Sequence, residues 1–190
     1  MEQPVTAVYD ANVLYPAPLR DLLIRIAQTG IVQAKWTEAI HDEWFRNVLK
    51  DNPRISEKRL TRTRALMNDA VRDCLVTGYE QIIESLTLPD PDDRHVLAAA
   101  IQARANVIVT FNLKDFPAKS LTLHNIKALH PDEFLLELLN ASTDAVCGAV
   151  RRQRESLRNP PQAIDDLLAT LENQGLQRTT SRLRQFADLL

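Results

Sequence analysis

The sequence predicts an α/β protein, a mostly parallel sheet covered by helices on both faces, and three observations carry that prediction. Short β-rich apolar runs alternate with amphipathic stretches at helical spacing. The first run, VTAVY, is short and largely apolar, as a strand buried on both faces requires. Proline and glycine stand at the joints between them. With 190 residues the chain can enclose one sizeable core.

The elements follow in order. VTAVY (5–9) is a buried strand that runs straight into Asp10. PAPLRDLLIRIAQTG (16–30) opens on proline and closes on Gly30, the start and stop signals of a helix. IVQAKW (31–36) is a second strand, and 37–52 a helix with Thr37 as N-cap and Pro53 just beyond its end. Residues 56–73 form an Arg-rich amphipathic helix, and 79–86 a short helix or turn. DPDDRHVLAAAIQARA (90–105) has a capped start and an Ala-rich body, followed by the β-branched strand NVIVTF (106–111). HNIKAL holds a last short strand, and PDEFLLELLN (131–140) a helix begun by Pro131. From 141 onward strand signals cease: three short amphipathic helices are broken at Asn159-Pro160-Pro161 and at Gly175. The expected division is a catalytic unit over 1–140 and a helical extension over 141–190.

Composition excludes several classes. The lone cysteines Cys74 and Cys147 have no metal-ligand or redox spacing, so neither a disulfide framework nor a zinc site is expected. The start MEQPVTAVYD has no basic or apolar leader region, and no apolar run approaches the length of a membrane span, which together predict a cytoplasmic protein. Net charge is −2, without the overall basic excess of many nucleic-acid binders. Between Arg46 and Arg72, however, eight basic residues face three acidic ones, a stripe a phosphate backbone could use; the ordinary alternative is a solvated helix face. Trp36, Trp44 and Phe45 are expected in the core rather than on bases.

Four acids stand where a strand ends or on a neighbouring helix: Asp10, Glu43, Asp93 and Asp115. In open α/β sheets ligands bind outside the carboxyl ends of the strands. Convergent carboxylates suit magnesium or manganese, which take oxygen ligands and can activate water for phosphodiester hydrolysis. Each acid also has a plainer reading: Asp10 as a turn or cap, Glu43 as a surface acid, Asp90 and Asp93 as helix-start residues, Asp115 as a loop brace. His41 and His95 adjoin two of the acids and read as surface or supporting groups rather than ligands.

In combination, YDANVL at the start, an acid on the second long helix and LPDPDDRHVLAAAIQARANVIVTFNLKDFP in the middle resemble the PIN domain, in particular its VapC toxins of bacterial toxin–antitoxin pairs. The resemblance spans roughly residues 5–140. It implies a PIN-like nuclease that cuts RNA, with Mg²⁺ or Mn²⁺ at Asp10, Glu43, Asp93 and Asp115, and with Asn12, Thr110 and Asn112 as polar neighbours. It also implies a small antitoxin as partner and allows a homodimer. The third acid stays open among Asp90, Asp92 and Asp93; Asp93 is preferred for its place on the helix relative to Val96 and Ala98, and Asp90 is the second choice. Arg59, Arg62 and Arg64 are the expected RNA contacts.

Haloacid-dehalogenase phosphatases and response-regulator receivers also place an acid after the first strand. Asp10-Ala11-Asn12 lacks the second aspartate of the former, and the chain lacks the acid pair and late lysine of the latter. The alternative of another class is a catalytically inactive PIN-like module that binds RNA or protein; four mutually repelling carboxylates argue against it. In 141–190 the apolar positions Ile164, Leu167, Leu168, Leu171, Leu183 and Phe186 recur at helical steps, which predicts a stripe for a partner or second copy, or a cover for the chain's own core.

Overall fold

The computed structural model describes residues 4–158 and 160–190. Four parallel strands, β1 (Val5–Tyr9), β2 (Val32–Lys35), β3 (Val107–Val109) and β4 (Lys127–Leu129), form one sheet in the order β2-β1-β3-β4. Ala7, Val8 and Tyr9 are all buried, as are Val107, Ile108 and Val109. Because consecutive strand residues point to opposite faces, an unbroken buried run means that both faces are covered. Met1–Gln3, part of the stretch read for a leader, and Asn159, where the predicted break begins, lie outside the described residues. Among the described residues, no helix is long and apolar enough to cross a membrane.

The chain leaves β1 for β2 on one side and returns to β3 on the other, so β1 and β3 flank the switch point of the sheet. Tyr9 pairs with Val109 in register, and the Asp10 N–H continues the ladder to the Val109 carbonyl at 3.1 Å. Asp10 and Thr110 therefore emerge side by side at the carboxyl edge, where such sheets open a binding crevice.

Helices connect the strands: α1 (Ala11–Leu14), α2 (Ala17–Ala27), α3 (Glu38–Asp51), α4 (Glu57–Ala70), α5 (Glu80–Ile83), α6 (Arg94–Gln102) and α7 (Ala118–Leu121). The single turn α1 has no forerunner in the sequence reading. α3 begins as expected on Thr37 and α4 on Ser56, whose hydroxyls accept from the Ile40 and Arg59 amides. A buried network then ties the two helices together. Asn68 Oδ1 accepts from Trp36 Nε1 at 2.9 Å and from His41 Nε2 at 2.9 Å, while Trp44 Nε1 donates to His41 Nδ1 at 3.0 Å. An indole can only donate, so Nδ1 is the acceptor, Nε2 carries the hydrogen, and His41 is neutral. Burial lowers its pKa in the same direction. His41 is thus a joint between helices, and both tryptophans are core residues.

The extension comprises α9 (Thr143–Ser156), α10 (Ile164–Asn173) and α11 (Gln177–Leu183), reached through α8 (Pro131–Ala141). α9 packs along α2, with Gln153 Nε2 donating to the Pro18 carbonyl at 2.8 Å and Arg25 Nη2 donating to Ser156 Oγ at 2.9 Å. Asp132 on the first turn of α8 is buried and accepts from the amides of Arg178 at 3.0 Å and Thr179 at 2.8 Å, capping α11 from another helix. Leu167, Leu168, Leu171 and Leu183 are buried, and Ile164 and Phe186 partly so, within the core of the same chain. The stripe predicted to seek a partner is already covered here, which corrects that expectation in favour of its alternative.

Candidate active site

Asp10 is the most constrained of the four acids. It is 2% exposed, and it caps α1 with Oδ1 accepting from the Ala11 amide at 2.7 Å. Its Oδ2 accepts from Asn12 Nδ2 at 2.6 Å and from the Thr110 hydroxyl at 2.7 Å. Burial raises its pKa; the Thr110 hydrogen bond opposes the shift and the nearby Glu43 charge adds to it. A carboxylate offers about four lone-pair directions. Three are taken, which leaves one on Oδ1 for a ligand.

Asn12 and Thr110 complete this hub. Asn12 Nδ2 also reaches Thr110 Oγ1 at 2.9 Å, and its Oδ1 accepts from the Phe111 amide at 3.0 Å. Thr110 is fully buried, and its Oγ1 accepts from the Asn112 amide at 3.0 Å. Asn112 enters through its backbone, with its side chain exposed.

The segment 90–93 separates its acids by role. Asp90 Oδ1 accepts from the Asp92 amide at 2.9 Å and caps a 3₁₀ turn over Pro91–Asp93, so Asp90 behaves as a cap and Asp92 is exposed. Asp93 sits at the start of α6 without a side-chain capping bond. Its carboxyl is pushed up to about 7, first by burial and then by the charges of Asp10, Asp90, Asp115 and Glu43. Asp115, partly buried, ends the 3₁₀ turn Leu113–Asp115. Glu43 faces the cluster from α3, with Oε2 3.7 Å from His95 Nε2. His95 Nδ1 is buried without a protein partner.

The structure thus brings all four predicted acids into one electrostatic neighbourhood at the switch point. Among the described residues, no three acidic, imidazole or thiol side chains converge tightly enough to cage an ion as they stand. The four acids offer oxygen donors, the type that hard divalent cations accept, and neither thiol joins them.

The arginines of α4 divide. Arg59 and Arg62 are exposed. Arg64 is paired with Glu38 and with Asp42 Oδ1, both on α3, so its charge is neutralised within the fold. A local reading of the Arg-rich run could not see those partners, which lie on the preceding helix.

Comparison with known proteins identifies the family. The family described as PIN domain matches residues 6–114, and that described as VapC50 C-terminal domain matches residues 131–185. The chain is 37% identical over 134 residues, 70% of its own length and 78% of the other's, to "Putative ribonuclease VapC50" of Mycobacterium tuberculosis (strain ATCC 25618 / H37Rv). No solved structure matches.

Proposed function

Because the chain belongs to the PIN-domain family, we propose that it is a divalent-metal-dependent endoribonuclease and the toxin of a toxin–antitoxin pair, with a small antitoxin as partner, room for a homodimer, and the cytoplasm as its place. The observation that supports this best is the buried, triply hydrogen-bonded Asp10, whose charge acts on Asp93, a carboxyl held up first by burial and then by Asp10 and three further acids. Asp10, Glu43, Asp93 and Asp115 would hold Mg²⁺ or Mn²⁺, which lowers the pKa of bound water and offsets charge on the phosphate. The hub residues Asn12 and Thr110 fix the direction of the Asp10 carboxylate, so its free lone pair is aimed before any ligand arrives. Single-stranded or loop RNA is the proposed substrate, since its phosphodiesters are accessible.

Chelation tests this reading with two readouts. RNA cleavage is expected to stop in EDTA and to return with Mg²⁺ or Mn²⁺. Stability should show a matching signature. A folded carboxyl near 7, against an ordinary aspartate in the unfolded chain, contributes stability that is complete at low pH and lost as pH rises through about 7. In EDTA the unfolding midpoint should therefore fall between pH 5 and pH 7.5; added metal should raise it at pH 7.5 and do little at pH 5. Full cleavage in EDTA, with a midpoint indifferent to metal, would sink the proposal.

Arg59 and Arg62 are the proposed phosphate contacts on α4. Replacing both with glutamine should reduce the slope of log affinity against log salt by roughly 1 to 1.5, the release expected for two contacts on a single strand. Arg64→Gln should instead leave the slope alone and lower the melting temperature, because its partners are Glu38 and Asp42. An equal change of slope in both variants would return Arg64 to the RNA surface.

A further inference from the structure

A glycine of the C-terminal extension lies against Phe111, beside the candidate site. Gly175, in the turn between α10 and α11, has φ +93°, a conformation that L side chains rarely adopt. A Cβ there would stand 3.3 Å from Phe111 Cε1 and 3.7 Å from His130 Cε1. The Phe111 and His130 rings meet edge to face with centroids 5.1 Å apart. Phe111 is therefore held between the first residue before α8 and bare backbone of the extension. That backbone is itself pinned: the Gly175 amide donates to the Glu172 carbonyl at 2.9 Å, and α11 just beyond is capped by Asp132.

Phe111 in turn sets the hub. Its amide donates to Asn12 Oδ1, and only the oxygen end of that side-chain amide can accept. This forces Asn12 Nδ2 towards Asp10 Oδ2 and Thr110 Oγ1; a flipped Asn12 would set oxygen against the Asp10 carboxylate. We propose that Gly175 is a positioning residue for the site: its turn seats the Phe111 ring, which orients Asn12 and thereby Asp10. This makes residues 141–190 part of the active-site scaffold. The inference rests on the reading of Asp10 as a catalytic acid.

Full-length variants test it. Gly175→Ala introduces the Cβ contact with Phe111, whereas Gly30→Ala carries comparable backbone strain, at φ +85°, with nothing within 4 Å of its Cβ. Gly175→Ala is expected to lower kcat about ten- to a hundredfold, the effect of a small misplacement in a catalytic group. KM should stay within about twofold, since substrate binding elsewhere is untouched. Hydrogen exchange at the Phe111 amide should accelerate in the same variant. Gly30→Ala should lose stability but keep both kcat and amide protection. Adding Phe111→Leu to Gly175→Ala, which trims the struck ring, should recover most of both. Should Gly175→Ala fail to fold, Phe111→Ala removes the seated ring and carries the same expectation for kcat and amide exchange. Should no form of the protein cleave RNA, the exchange of the Phe111 amide decides the positioning claim alone. Unchanged Phe111 protection in the folded variant, a kcat equal to that of Gly30→Ala, or a double variant with no recovery would each overturn it.

Discussion

Asp10→Asn is expected to reduce RNA cleavage more than about a hundredfold, exceeding the loss that follows removal of a group merely hydrogen-bonded to a metal ligand. The fold should survive. Asp10 accepts from the Ala11 amide on one oxygen and from Asn12 and Thr110 on the other. An asparagine presents one oxygen and one amide group, so one donor must face another, a mismatch worth about 1–3 kcal/mol when buried. Against this stands relief of a buried charge close to Glu43 and Asp93. The two effects oppose, and the net change in unfolding free energy should stay within about 2 kcal/mol. Initial rates on RNA with saturating metal, and urea unfolding in EDTA, measure the two halves. A variant that cleaves within about tenfold of the parent would remove Asp10 from the chemistry, since tenfold corresponds to only about 1.4 kcal/mol of barrier.

Truncation after Asn140 should prevent stable folding. The helices it removes pack against α2 and α8, whose Leu19, Leu22, Leu23, Ile26, Leu135 and Leu139 are buried in the full chain. Uncovering even three side chains of this size costs about 5–9 kcal/mol, as much as the whole stability of many domains, about 5–15 kcal/mol. Residues 1–140 should accordingly lack a cooperative urea transition and expose apolar surface to a hydrophobic dye. A cooperative transition with a midpoint near that of the full chain would show that the extension is dispensable cover.

The strands were legible because a parallel sheet buried on both faces demands uninterrupted apolar runs, and VTAVY and NVIVTF are such runs. Asp10 was legible because it ends the first of them. α1 was not: four residues hold no helical period, and the turn forms because Asp10 caps it. DPDD offered three acids of equal local merit, and only the 3₁₀ turn, which commits Asp90 to capping, sets Asp93 apart. His95 was weighed as a neighbour of the third acid, but its approach to Glu43 depends on how α6 meets α3. The Asp132 clamp on α11 joins residues 46 positions apart and leaves no local trace. Such long-range polar contacts follow from packing, and no periodicity announces them.

The joint at His41 has a spectroscopic consequence. The chain has only two tryptophans, Trp36 and Trp44, and both indoles donate into the same buried network with His41 and Asn68. Its intrinsic emission therefore has a single address, the seam between α3 and α4, one residue from Glu43. Events confined to the C-terminal helices stay dark in that signal, whereas any movement of the Arg-rich helix against the helix bearing Glu43 alters the surroundings of both fluorophores at once.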